Sequence, residues 1–90
     1  MSRVLLPAIL RADADGAKAV EVDGPTVGAV VDALVDRHPS LGARLRSPDG
    51  GLHRFVNVYL NGEDVRYLQG LDTRVDTDDE VRLLPAIAGG

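Results

Sequence analysis

The sequence predicts an α+β fold, in which a mixed sheet of four or five strands has one main helix packed on one face. Two patterns support this: one amphipathic helical stripe within residues 27–34, and short alternating apolar segments on either side of it. The pair Asn61–Gly62 adds a hairpin, because both residues tolerate the positive φ of a type I′ turn. A chain of 90 residues with these elements is expected to form two layers around one core.

Two antiparallel strands are predicted before the helix. Val4–Leu6 is short and apolar, and Pro7 limits it because proline cannot donate to a β ladder. Arg11–Gly16 has the composition of a turn. Ala17–Val22 alternates between apolar and polar residues, with Ala17, Ala19 and Val22 set against Lys18 and Glu21, so we expect a hairpin with the first strand.

The only long helix is predicted to begin near Thr26 and to end near His38. Its apolar positions follow the spacing i, i+3, i+4, i+7, which places them on one face: Val27, Val30, Val31 and Leu34. Pro39 stops the helix. Thr26 is suited to the N-cap, and Pro25 could instead be the first helical residue.

Three further strands are predicted in the second half. Phe55–Leu60 alternates, Glu63–Arg66 returns after the Asn61–Gly62 turn, and Val81–Leu84 forms the last strand. The predicted core combines the helix stripe with one face of the strands: Val4, Leu6, Val27, Val30, Val31, Leu34, Val56, Val58, Leu60, Val81 and Leu83.

Composition excludes several classes of function. The chain has no cysteine, which excludes disulfides, thiol nucleophiles and cysteine-based metal or redox motifs. Fourteen acidic residues against ten basic ones give a net charge of −4, and only three residues are aromatic, so a nucleic-acid interface is not expected. No apolar run is long enough for a membrane span. We therefore expect a cytoplasmic protein.

Catalytic and metal-binding constellations are also not found in the sequence. His38 and His53 are the only histidines, and neither has a partner at ligand spacing, so we expect no bound metal and no autonomous enzyme. His38 is expected at the C-terminus of the helix, where the dipole favours a positive charge. Asp76–Asp79 lacks the glycine and closing glutamate of a calcium loop and is interpreted as a solvated turn.

The last residues are the strongest functional signal. Gly89 and Gly90 follow directly after the last predicted strand and the short segment Ala86–Ala88. Glycine can enter a narrow channel and adopt backbone conformations closed to other residues. A partner enzyme could convert the carboxylate of Gly90 into an acyl adenylate, and a sulfur nucleophile could then leave a thiocarboxylate. A disordered end is the ordinary alternative.

Four stretches carry a family resemblance: Pro7–Arg11, Leu52–Tyr59, Glu63–Arg66 and Leu84–Gly90. With the β-β-α-β order and the terminal Gly-Gly, the chain resembles the ubiquitin-like (β-grasp) sulfur-carrier family. This family includes the small subunit of molybdopterin synthase and the thiamine-pathway carrier. The resemblance is greatest to the branch that serves thiocarboxylate-dependent cysteine biosynthesis.

The resemblance implies a set of partner enzymes. An E1-like adenylating and sulfurtransferase enzyme uses ATP to load sulfur on Gly90. A PLP-dependent cysteine synthase transfers that sulfur, and a JAMM-type zinc metalloprotease releases cysteine from the carrier. ATP, PLP and zinc belong to these partners, and no cofactor is expected on this chain.

We expect a β-grasp domain over residues 1–85 and a flexible tail over residues 86–90, in which Ala86, Ile87, Ala88 and Gly89 lead to Gly90. Phe55, Tyr59 and Leu84 are expected on the sheet face opposite the helix, as a partner-docking surface or as ordinary surface hydrophobes.

Three alternative functions stay open from the sequence. The chain could be a molybdopterin synthase small subunit, with the same chemistry at its tail. It could be a protein modifier that forms isopeptide bonds, or an interaction domain whose terminal glycines are incidental.

Overall fold

The computed structural model describes residues 1–86, and these form a five-stranded mixed sheet with one long helix packed on it. The strands are β1 (Ser2–Leu5), β2 (Ala19–Val22), β3 (Val56–Leu60), β4 (Glu63–Asp64) and β5 (Glu80–Pro85). The helices are α1 (Ala8–Arg11), α2 (Val27–Arg37) and α3 (Gly42–Leu45), and four short 3₁₀ turns connect other parts of the chain. The predicted fold class is confirmed.

The sheet order is β2-β1-β5-β3-β4, so the last strand is central. β5 runs parallel to β1, with Val4 opposite Val81, and antiparallel to β3, with Val58 opposite Leu83. The outer pairs β1–β2 and β3–β4 are antiparallel. Because β1 and β5 are parallel, both end at the same edge of the sheet.

Helix α2 is the element that the sequence specifies most completely. Thr26 is its N-cap, with the side-chain oxygen accepting the Ala29 N–H at 3.2 Å, which satisfies one donor of the first turn. Pro25 is therefore not the first helical residue. The four stripe residues are all buried against the sheet, and the helix ends at Arg37, just before His38 and Pro39.

The core contains ten of the eleven predicted residues, and Leu60 is the exception because it is only partly buried against that core. Other core residues come from segments without a clear period. Members from the connecting segments and turns are Leu10, Ala14, Leu41, Leu45, Val65 and Val75.

Two local predictions were wrong. The strand predicted over Glu63–Arg66 ends at Asp64, because the Asp64 carboxylate accepts the Arg66 N–H at 2.9 Å and starts a 3₁₀ turn that buries Val65. The segment Arg11–Gly16 is a turn only at Asp15 and Gly16, and the end of α1 with a 3₁₀ helix forms the rest of it. Strand β2 therefore begins at Ala19. Its buried side chains are Val22, as expected, and Val20, in place of the expected alanines.

The Asn61–Gly62 hairpin is confirmed. Both residues have positive φ, 50° and 91°, as a type I′ turn requires. No helix within residues 1–86 combines the length and the apolar character that crossing a membrane requires.

Candidate functional site

The candidate site lies at the end of the central strand β5, where the described chain leaves the sheet. Pro85 is opposite Val56 in the ladder, and the Ala86 N–H donates to the Phe55 carbonyl oxygen at 2.7 Å. The base of the predicted tail is thus fixed in the centre of the sheet, next to Phe55. Ile87, Ala88, Gly89 and Gly90 lie outside the described residues, so the assignment of Gly90 as attachment site stays a prediction.

The register of β3 and β5 decides which side chains face away from α2. Val58 and Leu83 are paired and buried, whereas Tyr59 is opposite Arg82 and Leu84 is opposite Asn57. Side chains alternate along a strand, so Tyr59 and Leu84 share the face opposite the helix. Leu84 is 37% exposed, and Tyr59 is partly buried. This part of the expected geometry is observed, and a docking role for these residues stays a prediction.

Phe55 has a different position from the one expected. It precedes β3 and lines a cleft of about 440 Å³ at the end of the sheet, which we call the exit cleft; its lining includes Pro7, Ile9, Arg44, His53, Phe55 and Ala86. Leu84 instead lines a smaller cleft of about 260 Å³, which we call the outer cleft; its lining includes Leu5, Pro7, Arg11, Lys18, Arg82 and Leu84. Phe55 and Leu84 therefore line two different clefts, which share Pro7, and Tyr59 lines neither of them.

The ring of Phe55 is held by its sequence neighbours. His53 and Phe55 have ring centroids 5.2 Å apart, and the guanidinium carbon of Arg54 lies 5.1 Å from the centroid of the Phe55 ring. The Phe55 N–H donates to Nδ1 of His53 at 3.2 Å. An arginine over an exposed ring contributes about 0.5–1 kcal/mol, so this ring, 48% exposed, is held in place beside the exit.

Ile9 is the site residue that sequence reasoning missed. It lies on the short helix α1, is 63% exposed, and lines the exit cleft. No helix was predicted after the strand Val4–Leu6, which Pro7 was expected to limit. Pro7 was the available signal, because it occupies the N-cap position of α1, and proline is well tolerated at the start of a helix.

A polar network borders the outer face of the sheet. Arg66 donates to Asn57 Oδ1 at 2.5 Å and pairs with the Asp64 carboxylate at 3.2 Å. Burial acts to raise the pKa of Asp64, but the hydrogen bonds and charge of Arg66 outweigh it, so the net effect lowers that pKa. The hydrogen bond from Arg66 to Asp64 correspondingly raises the pKa of Arg66. The hydrogen bond from Arg66 to Asn57 tethers the segment after β4 to β3.

The other ionisable candidates lie elsewhere. His38 caps the C-terminus of α2, with its Nδ1 3.8 Å from the Asp15 carboxylate. Asp79 accepts hydrogen bonds from the Asn61 side chain at 3.0 Å and the Asp76 N–H at 2.8 Å, and these bonds lower its pKa. Within residues 1–86, no three histidine, aspartate or glutamate side chains are grouped to hold a metal ion.

Comparison with known proteins gives consistent matches over nearly the whole chain. The model of the ThiS family matches residues 4–90. The sulfur carrier protein CysO of Mycobacterium tuberculosis is 46% identical over 89 residues, covering 97% of this chain and 96% of the relative. Small archaeal modifier protein 1 of Haloferax volcanii is 42% identical over 72 residues, covering 79% and 78%.

A solved structure agrees with these matches. A chain in the crystal structure of the Amycolatopsis orientalis BexX/CysO complex superposes with a TM-score of 0.91 at 44% identity, with all of both chains covered. The resemblance inferred from the residues is thereby confirmed. The chain belongs to the ThiS family and has the ubiquitin-like β-grasp fold of its sulfur carriers.

Proposed function

We propose that this protein is a sulfur carrier for cysteine biosynthesis, and that the carboxylate of Gly90 is its reactive group. The observation that supports this most is the 46% identity with a protein named sulfur carrier protein CysO, over 97% of this chain. The family model also extends through Gly90. The proposal requires Gly90 to carry a free carboxylate.

Activation is the first step. A carboxylate resists nucleophilic attack because of its negative charge, so one of its oxygens attacks the α-phosphorus of ATP and pyrophosphate leaves. Hydrosulfide attacks the carbonyl carbon of the resulting acyl adenylate, and AMP leaves with the C–O bond electrons. Loss of a proton gives the thiocarboxylate. An E1-like adenylating enzyme with sulfurtransferase activity supplies the catalytic groups for these steps.

Transfer to cysteine follows. On a PLP-dependent cysteine synthase, the thiocarboxylate sulfur takes the place of phosphate on O-phosphoserine and forms a thioester. The amine then attacks the thioester carbonyl, and the acyl group moves from sulfur to nitrogen. Water, directed by a JAMM-type zinc metalloprotease, cleaves the new amide. The products are cysteine and the original carboxylate of Gly90.

In this proposal the chain's own residues position the tail and contact partners. Residues 1–85 act as the domain that enzymes recognise, and residues 86–90 act as the segment that enters their active sites. The hydrogen bond from the Ala86 N–H to the Phe55 carbonyl oxygen holds the first residue of this segment at the sheet. Five extended residues span roughly 17 Å, and Gly89 has no side chain to obstruct a narrow channel. Phe55, at the exit cleft, and Tyr59 and Leu84, on the face opposite the helix, provide the contacts with partners.

Intact-mass spectrometry tests the sulfur-carrier role. We expect incubation with the E1-like enzyme, MgATP and sodium sulfide to replace one terminal oxygen by sulfur. Adding the cysteine synthase and O-phosphoserine is then expected to give a cysteinyl adduct on Gly90. An unchanged mass with saturating enzyme contradicts the carrier role. A thiocarboxylate that yields no cysteinyl adduct contradicts the cysteine pathway and leaves molybdopterin synthesis and protein modification as candidates.

Protein modification is a second candidate, favoured by the 42% identity with small archaeal modifier protein 1. A modifier would form an isopeptide bond between Gly90 and lysines of other proteins. Peptide mapping of proteins from the host separates the two roles. Lysines that carry the Gly90 remnant identify a modifier, whereas the cysteinyl adduct identifies a carrier.

A further inference from the structure

Only one residue of the segment 86–90 has a large side chain. Ile87 stands between Ala86 and Ala88, and the two glycines follow. An aliphatic side chain gains free energy when apolar surface covers it, because burial removes that side chain from water. The apolar surface nearest to Ile87 is therefore its expected contact.

The exit cleft is the apolar surface that adjoins this residue. Ala86, which directly precedes Ile87, is part of the lining, and consecutive Cα atoms are about 3.8 Å apart. The other lining residues are apolar except Arg44 and His53. Arg44 is already paired with Asp13, so the cleft favours an apolar occupant.

Strand alternation directs the Ile87 side chain toward this cleft. Leu84 lines the outer cleft and Pro85 lines the exit cleft, as the alternation of side chains along β5 requires. The Ala86 N–H donates to the Phe55 carbonyl oxygen at 2.7 Å, so the chain is still paired there with the segment before β3. Ile87 is two residues after Pro85. Continuation of the same extended backbone by one residue would therefore bring its side chain to the exit cleft.

We propose that the exit cleft is the docking site of Ile87 in the free protein. The side chain lies between Ile9 of α1 and the ring of Phe55, and it covers exposed apolar surface of both. The ring is already held by its contacts with His53 and Arg54. The cleft is thus preorganised to receive the side chain, which lowers the entropic cost of docking.

Docking of Ile87 shortens the part of the segment that extends from the domain. Residues 88–90 span roughly 10 Å when extended, against roughly 17 Å for residues 86–90. Under the proposed function, on which this consequence rests, an enzyme whose reacting groups lie deeper than that must withdraw Ile87 before it acts on Gly90. The contact is then autoinhibitory, and partner binding relieves it.

Methyl NMR of the chain alone tests the contact, because Ile9 and Ile87 are its only two isoleucines. Labelling of the isoleucine δ1 methyl groups gives two signals, which Ile9→Val and Ile87→Val assign. We expect a nuclear Overhauser cross-peak between them. We also expect the Ile87 methyl shift to differ from its value in a peptide of residues 84–90. Most of that difference should vanish in Phe55→Leu, which removes the only phenylalanine ring.

Amide hydrogen exchange gives a second, matched measurement. Docking of Ile87 protects the hydrogen bond of the Ala86 N–H, so we expect Ile9→Ala to speed its exchange about fivefold. Leu68→Ala truncates an exposed leucine outside both clefts and is expected to leave that rate unchanged. Urea unfolding midpoints of both variants separate loss of the contact from loss of global stability.

A mixing experiment separates the chain's own segment from a second copy as occupant. In a mixture of labelled Ile9→Val and Ile87→Val chains, the two isoleucine methyl groups belong to different molecules. We expect no cross-peak in this mixture. A cross-peak there would assign the cleft to the segment of a second copy and would overturn docking within one chain.

The remaining outcomes are equally decisive. Docking is wrong if the wild type has no cross-peak and the Ile87 methyl keeps its peptide shift, or if Ile9→Ala and Leu68→Ala change the exchange of Ala86 equally. Because these measurements use the free chain, such a failure leaves the sulfur-carrier function standing. Failure to form a thiocarboxylate would instead remove the consequence for enzymes and leave the contact intact.

Discussion

At the scale of single residues, one asparagine joins two segments that are distant in sequence. The Asn61 side chain donates to the Asp79 carboxylate and accepts the Glu80 N–H at 2.9 Å, while its backbone adopts positive φ in the hairpin turn. Asparagine tolerates that conformation better than most residues with a side chain. The same residue therefore forms the turn and connects it to the beginning of β5.

The acidic group in this contact makes stability depend on pH. The hydrogen bonds from Asn61 and Asp76 hold the folded-state pKa of Asp79 below its ordinary value of 3.8. The unfolded chain therefore binds a proton at higher pH than the folded chain does. The stabilisation by Asp79 is present above the ordinary pKa and is lost as the pH falls through the lowered folded-state value.

We predict that Asp79→Asn reduces this acid dependence. Urea unfolding of both proteins is measured between about pH 5 and about pH 2. The free energy of unfolding of the wild type is expected to fall more steeply with decreasing pH than that of the variant. Asp78→Asn is the matched control, since the neighbouring carboxylate is exposed. Parallel curves for wild type and Asp79→Asn would contradict the assignment.

At the scale of elements, helix α2 forms one layer of the core through a single stripe of side chains. Leu34 is fully buried in the cluster that also contains Val58 and Leu83 of the central strands. Packing of this stripe supplies most of the stability of a helix only eleven residues long, because isolated helices of that length are marginal in water.

Leu34→Ala is expected to lower the free energy of unfolding by about 2–5 kcal/mol, through lost burial and the cavity left behind. Urea denaturation monitored by circular dichroism measures the change. Leu68→Ala removes the same atoms from a 40% exposed position and is expected to change stability by less than about 0.5 kcal/mol. A loss for Leu34→Ala no larger than that of the control would show that α2 does not pack as described.

The helices and strands also show where sequence patterns are enough to predict the structure. The stripe of α2 and the alternation of β3 were predicted correctly, because in both segments local periodicity and tertiary burial agree. The strand predicted through Arg66 fails, since the Asp64 side chain captures the next backbone donor and bends the chain. Leu10 and Leu45 enter the core from short helical turns that are too brief to show a period.

The candidate site likewise has features that local sequence patterns predict and others that they do not. Strand alternation correctly placed Tyr59 and Leu84 on one face, because that inference needs only the period of two. The exit cleft could not be predicted, since α1, α3 and the start of β3 meet there only through the sheet order. The central position of β5 depends on long-range pairing with β1, of which the local sequence gives no sign.

At the scale of the whole molecule, the folded domain and the proposed reactive group are separate parts. The core lies within residues 4–83, and the Ala86 hydrogen bond is the last described link between the sheet and the segment that follows. Chemistry at Gly90 and stability of the domain should therefore respond to different substitutions.

Deletion of Gly90 is expected to abolish sulfur loading and to leave the urea unfolding midpoint at the wild-type value. Loading is measured by intact mass under the conditions that give full conversion of the wild type. Replacement of Gly16 by Ala serves as the opposite control: its φ of 82° disfavours alanine, so stability should fall while loading continues. Equal loading of the truncated and complete chains would contradict the assignment of Gly90.

The position of β5 has a mechanical consequence. It is bonded along one side to β1, in three parallel register pairs, and along the other to β3, in five antiparallel ones. A force that pulls Ser2 and Pro85 in opposite directions loads the bonds between β1 and β5 in shear, all together, instead of opening them one after another. An enzyme that pulls on the segment after Pro85 therefore acts on a central strand that is hydrogen-bonded on both sides.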